Sequence, residues 1–354
     1  MNFRALCLLC LSALVLSVLS ACSPKEDRNS GDQNVGTPSV AERAIDPALV
    51  YANRNVDDGI FFTEGYFEHD GYKLHYIEAG EGELVILYHG FPSFWFSFYD
   101  QAVALKRDYR VVVVDGLGAG LSDKPDELSA YKLGALIDHV DALAIHLNGD
   151  RPFILIGHDW GGALSLAFAE LKPERLQAVV AMNAPSFNVF LELLRSNEQQ
   201  QKTSTYMAVM SKTSRESVRD YAPGERIWKS AYGGLLERAE LTEEEYELFG
   251  WALRPAEATN GGYNWYRANV PLPDQITDQD FFPIPQRELS VPALLIWGTE
   301  DRAFVPEFIP MLKANSKQLD VVTIQGANHW TLMSHPEESN AAIRSFLTKS
   351  LRVE

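Results

Sequence analysis

Cysteine is nearly absent from this chain of 354 residues: Cys7, Cys10 and Cys22 are the only three, and all precede residue 23. Everything downstream therefore folds without disulfides and offers no thiolate cluster to zinc. Positive charge is also scarce, with 31 Lys and Arg against 48 Asp and Glu and a formal net charge of −17. A surface of that sign repels phosphate backbones, which excludes nucleic acid as a partner. No internal repeat is visible, and no apolar run reaches membrane-spanning length. What is there is an ordinary globular composition, 46% hydrophobic and 22% charged, over a length that a single α/β domain can fill.

The start of the chain stands apart. Arg4 is the only charged residue of the first 22, and an apolar stretch of about sixteen residues follows it, from Ala5 to Ser20. A short basic start and an apolar stretch below the ~20 residues of a spanning helix read as an export signal, with a membrane anchor as the competing reading. The ending Leu19-Ser20-Ala21-Cys22 resembles the bacterial lipobox. That resemblance implies a signal peptide at 1–21 and a lipid on Cys22. With Ser23 next, it also implies lodging at the periplasmic face of the outer membrane. Residues 22–50 are polar and poor in aromatics, and are expected to be a disordered tether.

Beyond the tether, Asp70-Gly71 sits between alternating segments at Gly65–Glu68 and Lys73–Ile77, which is a hairpin signal. Unbroken apolar runs at Leu84–Tyr88, Val111–Val114 and Phe153–Ile156 suit strands buried on both faces of a parallel sheet. Helical stretches at Leu133–Leu147 and Ala163–Leu171 alternate with them, which is βαβ order. After Ala178–Asn183 the strand signals stop. Residues 186–286 carry helical periodicity and many aromatics before strand-like runs return at Val291–Trp297 and Leu319–Ile324. The expected fold is α/β: a mostly parallel central sheet flanked by helices, formed by residues 51–185 and 287–354, with a helical cap at 186–286. Caps cover active sites.

In open parallel sheets the site lies beyond the carboxyl ends of the strands. Here those ends run into His89-Gly90-Phe91-Pro92, Asp115-x-x-Gly118-x-Gly120, Gly157-His158-Asp159-Trp160-Gly161-Gly162, Gly298-Thr299-Glu300-Asp301 and Gly326-Ala327-Asn328-His329-Trp330. The 115–120 loop lacks the Lys-Ser/Thr of a phosphate loop, so it reads as a plain turn. A Gly-x-nucleophile-x-Gly turn between strand and helix, followed in the chain by an acid and then a histidine, is the order of the nucleophile elbow and its partners. On these motifs the chain resembles the α/β-hydrolase superfamily over about residues 61–350.

Asp159 stands where ester hydrolases of that superfamily carry Ser. A Ser that attacked saturated carbon would be left as an ether, whereas a carboxylate is left as an ester that activated water can cleave. The nucleophile is then Asp159, the base His329, and the acid orienting it Asp301, with Glu300 as its competitor. The backbone N–H groups of Phe91 and Trp160 form the oxyanion hole, and His158 reads as structural.

Asp-nucleophile elbows of this form are similar to two groups, epoxide hydrolases and haloalkane dehalogenases. A departing halide wants indole or amide N–H donors, while an epoxide oxygen wants the acidic O–H of tyrosine. Asn264-Trp265-Tyr266-Arg267 resembles a segment of soluble epoxide hydrolases, which implies that Tyr266 is one such donor. Tyr206, early in the cap, is the second, although Ala208, Val209, Met210 and Ser211 replace the residues usual after it. Phe91 stands where a dehalogenase family places Asn. The expectation is an epoxide hydrolase acting on an apolar epoxide without metal or organic cofactor, with Phe91, Trp160 and Trp330 lining the substrate site. A haloalkane dehalogenase and a non-catalytic ligand-binding lipoprotein are the alternatives.

Overall fold

Five consecutive apolar residues leave a strand no face for solvent, and the central sheet is built from such strands. In this computed structural model, which describes residues 45–351, Leu84–Tyr88 is buried at every position. Successive side chains point to opposite faces of a strand, so one run feeds two cores. Ile86, Tyr88, Val112, Val114 and Leu155 pack on one side of the sheet. Val85, Leu87, Val111, Val113, Ile154 and Ile156 pack on the other.

The sheet has eight strands: β1 (Thr63–His69), β2 (Tyr72–Ala79), β3 (Leu84–Tyr88), β4 (Arg110–Val114), β5 (Phe153–His158), β6 (Leu176–Met182), β7 (Ala293–Gly298) and β8 (Leu319–Ile324). Their spatial order is β1-β2-β4-β3-β5-β6-β7-β8. The predicted hairpin at Asp70-Gly71 joins β1 to β2, and β2 pairs antiparallel with β4. All other pairings are parallel, and helices such as Leu133–Asn148 and Trp160–Leu171 cover the faces. The expected α/β architecture is present. The order places β3 between β4 and β5, so the loops after β3 and β5 are neighbours at one rim.

Between β6 and β7 the chain forms seven helices, from Phe187–Ser196 to Ala256–Asn269. They lie above the rim where the strand ends converge. Helix Ala256–Asn269 is the inner one, with Trp265 and Tyr266 among the largest fully buried side chains.

The structure departs from the expected tether at its end. Helix Pro47–Arg54 starts inside the segment 22–50, and Asp46 is buried. Its carboxylate accepts the Ala48 N–H at 2.9 Å and the Trp95 indole N–H at 2.8 Å. Asp followed by Pro is an N-cap and first-turn pair, a start signal that the polar composition around it conceals. The signal segment 1–21, Cys22 and the rest of the tether as far as residue 44 lie outside the described residues. Among the described residues, no helix is long and apolar enough to cross a membrane.

Candidate active site

β5 ends at His158 and the next helix begins at Trp160, so the chain reverses direction at a single residue. Asp159 adopts φ +54° and ψ −120°, a conformation that costs a non-glycine residue on the order of 1–3 kcal/mol. The glycines on either side are obligatory. A Cβ on Gly157 would lie 2.0 Å from the Gly161 carbonyl oxygen, and one on Gly161 would lie 1.9 Å from that of Tyr88. The strained turn lifts the carboxylate clear of the sheet, where Oδ1 accepts the Phe91 N–H at 2.9 Å. The Trp160 N–H also donates to this carboxylate. The two N–H groups expected to form an oxyanion hole thus converge on one side chain.

The loops after β7 and β8 bring the other predicted groups to it. His329 Nε2 lies 3.5 Å from Asp159 Oδ2, and its Nδ1 lies 2.9 Å from Asp301 Oδ2. Asp301 is buried and turned to the imidazole, while Glu300 is exposed. The Ala303 N–H donates to Asp301 Oδ1 at 2.6 Å. One further partner escaped the sequence reading. Asn183, at φ +50° directly after β6, donates from Nδ2 to Asp301 Oδ2 at 2.8 Å. Its only signal was a polar side chain closing an apolar run.

His158 donates from Nε2 to the His329 carbonyl at 2.8 Å and so shapes the loop that presents the base. Burial, and then the neighbouring His329 charge, push its pKa down to about 4, so it is a neutral structural group. His89 is likewise buried and held neutral. It donates from Nδ1 to Gly90 O at 2.7 Å and accepts the Gly116 N–H on Nε2 at 3.0 Å, joining the loops after β3 and β4.

From the cap, the Asn264–Arg267 segment divides its work residue by residue. Trp265 donates its indole N–H to Leu117 O at 2.7 Å, which pins the helix to the loop after β4. Arg267 donates to Asn264 Oδ1 at 2.7 Å and to the Thr213 carbonyl at 2.5 Å. Thr213 caps helix Thr205–Lys212, which carries Tyr206. Arg267 therefore sets the distance between the two tyrosine-bearing helices. Tyr266 sits against the rings of Trp160 and Phe91, at centroid distances of 5.2 and 6.0 Å. Its ring also meets that of Tyr206 edge to face, at a centroid distance of 6.3 Å.

Below the cap lies a cavity of about 900 Å³, bordered by Asp159, Phe91, Tyr206, Met210, His329 and Trp330. That volume is at the upper end of ordinary small-molecule sites. Trp160 lines a small apolar recess on the other side of Asp159, with Phe187, Phe190 and Phe304. Of the three side chains expected to line the substrate site, Phe91 and Trp330 face the main cavity and Trp160 this recess.

The model of the alpha/beta hydrolase fold family matches residues 83–336. The chain belongs to the α/β-hydrolase family. It is 31% identical over 290 residues to epoxide hydrolase 4 of Mus musculus, covering 80% of this chain and 78% of that one. Epoxide hydrolase 3 of Xenopus tropicalis is 30% identical over 294 residues, covering 80% and 77%. Among solved structures, a Bacillus megaterium epoxide hydrolase in complex with an inhibitor superposes with a TM-score of 0.71 at 27% identity, covering 80% of this chain and all of that one.

In this α/β-hydrolase, electrostatics separate the roles of the groups. Burial alone would lower the pKa of His329, but the Asp301 and Asp159 carboxylates on either side outweigh it and raise the value to about 10. Burial likewise works against the charge on Asp159, yet His329 and the two N–H donors hold its pKa below the usual carboxylate value. The resting site is therefore a carboxylate and an imidazolium. Burial pushes both tyrosines well above the usual phenol value, aided by the Asp159 charge for Tyr206 and by Tyr206 and then Asp159 for Tyr266, so both remain O–H donors. Among the described residues no group of His, Cys, Asp and Glu is arranged to hold a metal.

Neutralising Asp159 removes one of the two charges that stabilise the His329 proton. In Asp159→Asn the His329 pKa is expected to fall below the value of about 10 set by the two carboxylates. Imidazole NMR across pH 5–11 reads this directly, and an unchanged titration contradicts the charge balance. The sign for stability follows. The raised pKa stabilises the fold fully below the ordinary value of 6.5, and that contribution is lost as pH rises through about 10.

Proposed function

We propose that this chain opens epoxides to vicinal diols through a covalent ester on Asp159. The observation that carries the reading is the pair of adjacent phenols, Tyr206 and Tyr266, whose rings meet edge to face at 6.3 Å and which stay protonated beside the nucleophile. An epoxide oxygen leaves as an alkoxide still bound to the substrate and needs O–H donors that can release a proton. A halide would need free N–H donors. The Trp160 indole lies edge to face against Tyr266 at a centroid distance of 5.2 Å, so a phenol stands beside it, which favours epoxide over haloalkane. The names of the relatives point the same way.

In the first step an Asp159 oxygen displaces the ring oxygen from one oxirane carbon, and the phenol pair gives that oxygen a proton. The phenols recover their proton from the His329 imidazolium. Ester formation removes the Asp159 charge, so the imidazolium loses one of its two supports and becomes a base at the moment a base is required. In the second step neutral His329 takes a proton from water, and the oxygen of that water attacks the ester carbonyl. The N–H groups of Phe91 and Trp160, which hold the free carboxylate, hold the oxyanion of the tetrahedral intermediate; removing one such donor typically costs ~3 kcal/mol. Collapse releases the diol and restores the carboxylate–imidazolium pair, so charge and protons close over the cycle.

We also propose that the chain is exported, lipidated at Cys22 and carried at the outer membrane. This rests on the sequence features of residues 1–23.

In a single turnover in heavy-oxygen water, the first diol is expected to carry no solvent label, because its new oxygen comes from Asp159. Label in that first diol overturns the ester mechanism. Halide release without diol formation assigns the chain to the dehalogenases, and turnover of neither substrate class leaves a binding protein. Metabolic labelling with a fatty-acid analogue is expected to mark the wild-type chain and to be lost in Cys22→Ser. Equal labelling of the two overturns the anchor.

A further inference from the structure

The cavity above Asp159 shares three wall residues, Val209, Arg226 and Tyr263, with a second depression of about 630 Å³ on the cap. Helix Thr205–Lys212 runs from one to the other. Each step of three residues turns back about 60° around a helix of 3.6 residues per turn and climbs about 4.5 Å. Tyr206 thus faces the inner cavity, Val209 stands in the shared wall, and Lys212 lines the outer groove, about 9 Å along the axis from Tyr206. The platform there is open and mixed in polarity, with Val209 62% and Tyr221 83% exposed beside Thr213, Ser214 and Ser217.

The charge of the groove runs against that of the molecule. Lys212 and Arg226 line it, no acidic side chain does, and neither cation lies in an ion pair or side-chain hydrogen bond among the described residues. In a chain of net charge −17, two bare cations over one open groove invite an anion. The opposite rim of the cavity is balanced. Arg238 is paired with Glu240 at 2.8 Å there, and Glu300 and Arg302 lie beside them. The acids of helix Arg215–Tyr221, Glu216 and Asp220, are not in the groove lining, and the Glu216 carboxylate is held by Ser214 and by its own backbone.

We propose that this groove binds the terminal carboxylate of an amphiphilic epoxide, whose apolar body crosses the wall between Val209 and Tyr263 and presents the oxirane to Asp159. The Arg226 guanidinium supplies a planar fork suited to a carboxylate, and Lys212 supplies a mobile point charge. The inference rests on the epoxide reading and adds the charge and polarity of the substrate. It makes Lys212 and Arg226 selectivity residues with no part in bond making.

The test compares the ω-epoxide of undecanoic acid with its methyl ester, on the full-length wild type and on Lys212→Met, Arg226→Met and the double variant. The wild type is expected to show a KM about tenfold lower for the acid than for the ester. That preference should shrink as salt rises above ~0.1 M and fall to about unity in the double variant, with kcat little changed. Equal KM values for acid and ester in the wild type overturn the proposal, as does a preference that survives in the double variant. Turnover of the ester reports on the epoxide reading independently. If neither compound is turned over, calorimetric binding of undecanoate decides the groove. Binding that weakens about tenfold in the double variant supports it, and absent or unchanged binding overturns it.

Discussion

A carboxylate stripped of water is the constraint that the rest of the site answers. Asp159 is buried at a strained turn, and an isolated charge there would recover a proton rather than remain an anion. Two backbone N–H groups and an imidazolium keep it ionised. That imidazolium is itself partly buried and is stabilised between two carboxylates, of which Asp301 is held by Asn183 and the Ala303 N–H. The three charges therefore depend on one another. In the proposed cycle, removing one by esterification changes the proton affinity of the next, and a resting ion pair becomes a general base without any movement of the chain.

The cap contributes what the sheet cannot. In the proposed reaction, strand-end loops supply the nucleophile, base and acid, and the O–H donors for an emerging alkoxide come from above. Trp265 fixes the inner cap helix to the core, and Arg267 fixes it to the helix that bears Tyr206. The placement of two phenols thus depends on one indole and one guanidinium that never meet substrate. Tyr232 adds a further tie. It donates to the Pro92 carbonyl at 2.5 Å and packs at a tilt against Trp330, so the cap also steadies the loop that carries the Phe91 N–H.

Much of this was legible in the sequence, for identifiable reasons. Strands buried on both faces appear as unbroken apolar runs, so Leu84–Tyr88 matches its predicted ends, and the part-exposed edge strand Leu319–Ile324 matches its own through its β-branched residues. The elbow carries glycines that no other residue can replace, which makes Asp159 conspicuous. Tyr266 was found because three neighbours with separate anchoring duties travel with it. The departures have a common cause. Helix Pro47–Arg54 hid in a polar stretch because its order comes from Asp46 meeting Trp95, 49 residues away. Asn183 and the cations of the outer groove have no local pattern, since their meaning comes from which loops and helices the fold brings side by side.

The central claim is that Asp159 becomes covalently bound to substrate and that its release cannot proceed without His329. Intact and peptide mass spectrometry of His329→Gln after incubation with an epoxide tests this most directly. The account predicts a stable adduct equal to the mass of one epoxide, on the peptide containing Asp159, and absent from the Asp159→Asn protein. No adduct, or an adduct on another residue, would contradict it.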